Sequence, residues 1–202
     1  TDEQAEINAG IITRNYLQDV IDLALATNRK VLFVANLYSG TVQEMMTSLN
    51  NLANAGVQLA GVELGNESHL RAYDSRFGGH ANYLAVAAPY AQAITNAYPD
   101  LPIGLNGYPP GVLKGLGPGG TQRAHDWNVA VSSAAFGDAV VIHCYSRPDS
   151  CNQASTLPNF ACGADFSRVY AREKLDQALD ELSAIGNRSI WITEWNIDGD
   201  YS

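Results

Sequence analysis

Basic residues are scarce in this chain, with 12 Lys and Arg against 21 Asp and Glu and a net charge of -9 at pH 7. Nucleic-acid phosphates and anionic membrane surfaces are bound by clustered positive charge, so this balance argues against both and favours a neutral partner. No apolar run approaches the roughly 18 residues of a membrane span, and the polar start TDEQAEINAG does not read as a signal peptide. No GxGxxG or Walker loop directly follows an apolar run, which argues against the usual nucleotide cradles. His69 and His80 lack an HExxH partner or a Cys/His cluster, so neither a metal nor another cofactor is expected. Cysteine is also rare, at three residues. Cys151 and Cys162 bracket the polar loop CNQASTLPNFAC, which reads either as closed by a disulfide or as carrying two reduced surface thiols. The disulfide reading brings with it a secreted, extracellular or periplasmic location.

With 202 residues, 46% of them hydrophobic, the chain can bury one sizeable core, and a single domain over 1–202 is the expectation. Short apolar runs at 30–37, 58–64, 102–107, 138–145 and 188–195 read as strands buried on both faces. Amphipathic stretches at 12–27, 41–54, 80–97, 121–135 and 167–185 have helical spacing. The Gly-Pro cluster YPPGVLKGLGPGG at 108–120 reads as a long loop between strand and helix. Strand-helix alternation of this kind implies a parallel α/β sheet, either open and doubly wound or a barrel. In both, ligands sit at the carboxyl ends of the strands.

Those ends carry unusual side chains. The run GVELGNE closes on Asn66 and Glu67, the run PIGLNG on Asn106, DAVVIHCY on His143 and Tyr145, and RSIWITEW on Glu194 and Trp195, followed by Asn196. Glu is a poor strand former, and two glutamates at one end of a sheet would face a common cavity. One protonated and one ionised carboxyl is what hydrolysis of a glycosidic bond requires. Taken singly, Glu67 reads as an acid near a helix N-terminus, His143 as a core histidine and Tyr145 as core packing. Glu63 has the parity of Glu67, and an interior position there needs a partner or a raised pKa.

These motifs resemble the retaining glycoside hydrolases of the 4/7 superfamily, a clan of (β/α)8 TIM barrels. Asn66-Glu67 looks like the Asn-Glu pair that ends strand four in that clan, and Ile192-Thr193-Glu194-Trp195-Asn196 looks like the glutamate motif of strand seven. His143-Cys144-Tyr145 is similar to its strand-six His-x-Tyr, and arabinofuranosidase-like and xylosidase-like members are nearest in wording. The resemblance implies a glycosidase acting on a carbohydrate substrate by double displacement. Glu194 would be the nucleophile and Glu67 the acid/base. Asn66, Asn106, His143, Tyr145 and Trp195 would line the substrate, with Tyr145 orienting Glu194. It also implies an α/β TIM-barrel domain with strands three to seven only, so that strands one, two and eight would come from a missing segment or another chain. The alternative is a non-catalytic carbohydrate-binding or structural module built on the same frame. An open α/β sheet with an unrelated ligand is the third reading.

Overall fold

A computed structural model of the chain describes residues 9–10, 16–108, 117–146 and 188–197. Cys151, Cys162 and the amphipathic stretch at 167–185 lie outside the described residues. Helices α1 (Tyr16–Thr27), α2 (Val42–Asn54), α3 (His80–Ala97) and α4 (Gly117–Ser133) alternate with strands β1 (Val31–Ala35), β2 (Leu59–Leu64), β3 (Ile103–Asn106), β4 (Ala139–Ser146) and β5 (Ser189–Ile197). One five-stranded parallel sheet contains the strands in chain order. Its register is parallel for β1 on β2, where Phe33 meets Val62, and for β2 on β3, where Leu64 meets Leu105.

Burial on both faces holds for the inner strands. The last four residues of β2, all of β3 and residues 139–143 of β4 are buried. It does not hold for β1 or β5, where Val34 and Ile192 are exposed. Both strands lie at the ends of the strand order. There an apolar sequence alone cannot secure a covering layer on each face.

By packing, the chain divides into two units, Thr1–Asn106 with Ala134–Ala139, and Gly107–Ser133 with Val140–Ser202. In the first unit, Ile21 and Ala24 of α1 meet Leu52 and Val57, with Val31, Phe33 and Leu59 packed alongside. Helix α2 begins at a reciprocal cap. The Thr41 hydroxyl accepts from the Glu44 N–H at 3.2 Å while the Glu44 carboxylate accepts from the Thr41 N–H at 2.7 Å. Two donors that the first turn leaves without helical partners are thereby satisfied. Helix α3 carries Pro89 in its interior but buries Tyr83, Ala87, Tyr90, Ala91 and Ile94 along one face. Tertiary packing of that face outweighs the hydrogen bond a proline forfeits.

In the second unit, α4 buries Ala124, Trp127 and Val131. The Asn128 side chain accepts from the Tyr108 N–H at 2.8 Å and donates to the Tyr108 carbonyl at 3.4 Å, closing both backbone groups of that residue. Helix α4 starts at Gly117, inside the Gly-Pro cluster read from the sequence as loop. Pro118 falls in its first turn, the one part of a helix where a missing N–H removes no internal bond.

Candidate active site

At the carboxyl end of β2, the chain turns sharply enough to need two positive backbone angles, φ +93° at Gly65 and φ +46° at Glu67. A Cβ added at Gly65 would collide with the Ser68 hydroxyl and lie 3.0 Å from Asn106 Oδ1, so only glycine fits. Asn66 between them is exposed, and Glu67 is partly buried.

The turn rests on Asn106, the last residue of β3. Asn106 Oδ1 accepts from the Ser68 N–H at 3.2 Å and from the Ser68 hydroxyl at 2.9 Å, while Asn106 Nδ2 donates to Glu63 Oε1 at 2.9 Å. Glu63 is 1% and Asn106 2% exposed. Asn106 is therefore the partner that a buried Glu63 needs, and both ends of its amide are engaged inside the protein. A carboxylate on one side and a backbone N–H on the other fix which way the amide points.

Tyr83 of α3 completes this support. Its hydroxyl accepts from the Asn106 N–H at 2.8 Å and donates to the Leu64 carbonyl at 2.8 Å. A helix side chain thus stands in for a ladder bond where β2 and β3 end. Burial pushes the Tyr83 hydroxyl well above its ordinary pKa of 10, the Asn106 N–H pulls it back in part, and the Glu63 charge raises it further.

Beside Asn66 opens a cavity of about 330 Å³, lined by residues 34–39 at the end of β1 and just past it, and by Gly65, Asn66, Ser68, Tyr73 and Phe77. Asn36 shapes its rim, since its Oδ1 accepts from the N–H groups of Tyr38 and Ser39, both at 3.1 Å. Such an Asx turn folds the chain back on itself with one side chain.

In the second unit, β4 carries His143. His143 is buried, and its Nδ1 lies 3.5 Å from Oε2 of Glu194, whose side chain is 45% exposed. The structure thus brings His143 to Glu194 and sets Asn66 and Glu67 in the turn that Asn106 supports through Ser68. The side chains of Tyr145 and Trp195 lie outside the described part, although the backbone places both residues in strands. No group of three or more His, Cys, Asp or Glu that could hold a metal occurs among the described residues.

Several solved structures are similar to this chain in fold. Among them are α-L-arabinofuranosidases from Thermotoga petrophila (family GH51), Thermotoga maritima and Bifidobacterium longum (family 51), similar at TM-scores of 0.57, 0.57 and 0.55 and identities of 16, 16 and 14%. The fold is of TIM-barrel type. It is a fold that glycoside hydrolases use. The superpositions cover 92, 92 and 89% of this chain but 38% of each neighbour, so the chain spans well under half the length of the proteins it matches. The sequence matches no family model and no curated protein.

In a TIM-barrel sheet, the carboxyl ends of the strands carry the chemistry. Glu67 follows β2 there, and Glu194 lies six residues into β5. Sequence reasoning missed the supports of that end. Gly65 could have been found from its place just before Asn-Glu, where a turn must pass. Tyr83 and Ser68 gave no signal, because their roles depend on contacts 19 and 38 residues away in the chain.

Proposed function

We propose that this chain is the glutamate-bearing portion of a retaining glycoside hydrolase. The observation that carries the reading is Glu67 itself, a bulky carboxylate kept at φ +46° just beyond a buried strand. Such a conformation costs of order 1–3 kcal/mol and persists where the surroundings over-determine it, most often at functional sites. The contact between His143 and Glu194 supports the assignment of the second carboxylate.

The residues act as follows. Glu194 attacks the anomeric carbon as the Glu67 proton passes to the leaving oxygen, and the glycosidic C–O bond breaks. Glu67, now ionised, takes a proton from water, which attacks the glycosyl ester and frees Glu194. Asn66 reaches the sugar as an exposed amide and bonds a hydroxyl beside the reacting carbon, an interaction that strengthens in the transition state. Tyr145 orients Glu194 with His143 beside it, and Trp195 offers a face to the sugar. Asn106 acts as a positioning residue, through the turn it holds. The arabinofuranosidase activity of the structural neighbours makes α-L-arabinofuranosides the first substrate to try, ahead of β-xylosides and β-glucosides.

The test is release of phenol from aryl α-L-arabinofuranosides, β-xylosides, β-glucosides and β-galactosides by the chain and its Glu194→Ala and Glu67→Gln variants. Turnover should fall about 10⁴-fold or more without the nucleophile. Loss of the acid/base should cost about 10²–10⁴-fold, and least for the best leaving groups. NMR of the first-formed sugar should show the substrate's own anomer; the opposite anomer would make the mechanism inverting. A folded chain without turnover would favour the non-catalytic module.

A further inference from the structure

The cavity beside Asn66 holds aromatic rings that the two-glutamate mechanism does not use. Tyr38 is 47% exposed, yet its ring is held on several sides. Its hydroxyl lies 3.3 Å from Ser75 Oγ, and its ring meets Tyr73 at 5.3 Å between centroids and Phe77 at 6.4 Å. Phe77 is wedged edge-on against the buried Tyr83 at 5.9 Å, which ties the aromatic wall to the same residue that supports the β2 turn. Asn36 fixes the backbone of Tyr38 through the bond described above.

A ring exposed to water but already locked in place loses little freedom when something stacks on it. The polar groups of the wall are amides and hydroxyls, and among the described residues none that lines the cavity is charged. A volume of about 330 Å³ lies at the small end of ligand pockets. An apolar face flanked by neutral donors and acceptors matches a pyranose or furanose ring, which presents C–H groups on its faces and hydroxyls at its edge.

We infer that this cavity is a subsite for a neutral sugar residue next to the one that Asn66 holds, with Tyr38 as its stacking surface. The inference rests on the glycosidase reading and adds the class of ligand: an uncharged oligosaccharide, bound through at least two consecutive residues.

Isothermal titration of the full chain carrying Glu67→Gln would measure binding without hydrolysis. The probes are α-1,5-arabinohexaose, β-1,4-xylohexaose and β-1,3-glucohexaose. At least one hexaose should bind, and adding Tyr38→Ala should weaken it about tenfold, the scale of one lost aromatic contact. Tyr38→Phe keeps the ring and should stay within about threefold of the parent. Melting curves check that each variant is folded. Should Tyr38→Ala prove unstable, Tyr38→Leu, which fills the space without a flat face, takes its place with the same tenfold expectation. Hexaose binding indifferent to Tyr38, or no hexaose binding at all, overturns the subsite. Aryl-glycoside turnover by the unmodified chain is scored separately. Turnover without Tyr38-dependent binding sinks the subsite and leaves the glycosidase. Tyr38-dependent binding without turnover does the reverse.

Discussion

Positive φ is uncommon outside glycine, and for a side chain as bulky as glutamate it is held against the chain's own preference. Glu67 at φ +46° is such a case. Replacing it by glycine removes the Cβ that makes the conformation costly. Glu67→Gly should therefore raise stability by about 1 kcal/mol in urea denaturation while abolishing turnover. A lower denaturation midpoint would show that contacts of the Glu67 side chain outweigh the strain. The neighbouring Gly65 has the opposite sensitivity, because its φ is +93° and Ser68 and Asn106 fill the space a side chain would take. Gly65→Ala should cost about 2–3 kcal/mol and lower turnover together with stability, since the alanine displaces the turn that carries the acid. A variant with an unchanged melting curve would mean that the turn relaxes freely.

At the scale of elements, β2, β3 and α3 meet at one hydroxyl. Tyr83→Phe leaves the Asn106 N–H and the Leu64 carbonyl without that partner and should cost about 1–3 kcal/mol. The raised pKa of Tyr83 also sets a pH window. The folded state holds the phenolic proton more tightly than the unfolded chain, so its stabilisation is complete below pH 10 and is lost as pH climbs toward the folded-state value. Chemical denaturation followed above pH 10 should show a slope shallower in Tyr83→Phe by up to about 1.4 kcal/mol per pH unit, the linkage of one proton. Equal slopes would mean that Tyr83 ionises normally. Much of this scale is legible in the sequence. Apolar runs and helical spacing locate all five described strands and the four described α-helices, because buried strands and amphipathic helices have their own periods. Helix α4 begins earlier than the spacing predicts, since glycine and proline mark a loop by propensity but fit a first turn by geometry. The position of Glu67 just past a strand is legible because strand ends are sequence-local. The clamp of Glu63, Asn106, Ser68 and Tyr83 is not, because hydrogen bonds across 19 to 43 residues follow from packing rather than from any local pattern.

For the molecule as a whole, the relevant quantity is charge. A net -9 with a pI near 4.7 keeps copies apart at neutral pH and removes that repulsion near the pI. Light scattering should therefore show self-association rising as pH falls toward about 4.7 and receding with a return to pH 7. Association unaffected by pH would point to an apolar contact instead. Binding of an uncharged hexaose should change less than about twofold between 50 and 500 mM salt, because screening acts on charges that such a ligand lacks. The clamp under the Glu67 turn gives the fold a division of labour with an evolutionary reading. Glu63, Asn106 and Tyr83 hold the Glu67 turn from inside, while Tyr38 and Tyr73 belong to the wall of the cavity beside it. Replacements in that wall can accumulate without moving the carboxylate, so a lineage built on this frame can change what the cavity accepts while the turn that carries Glu67 stays fixed.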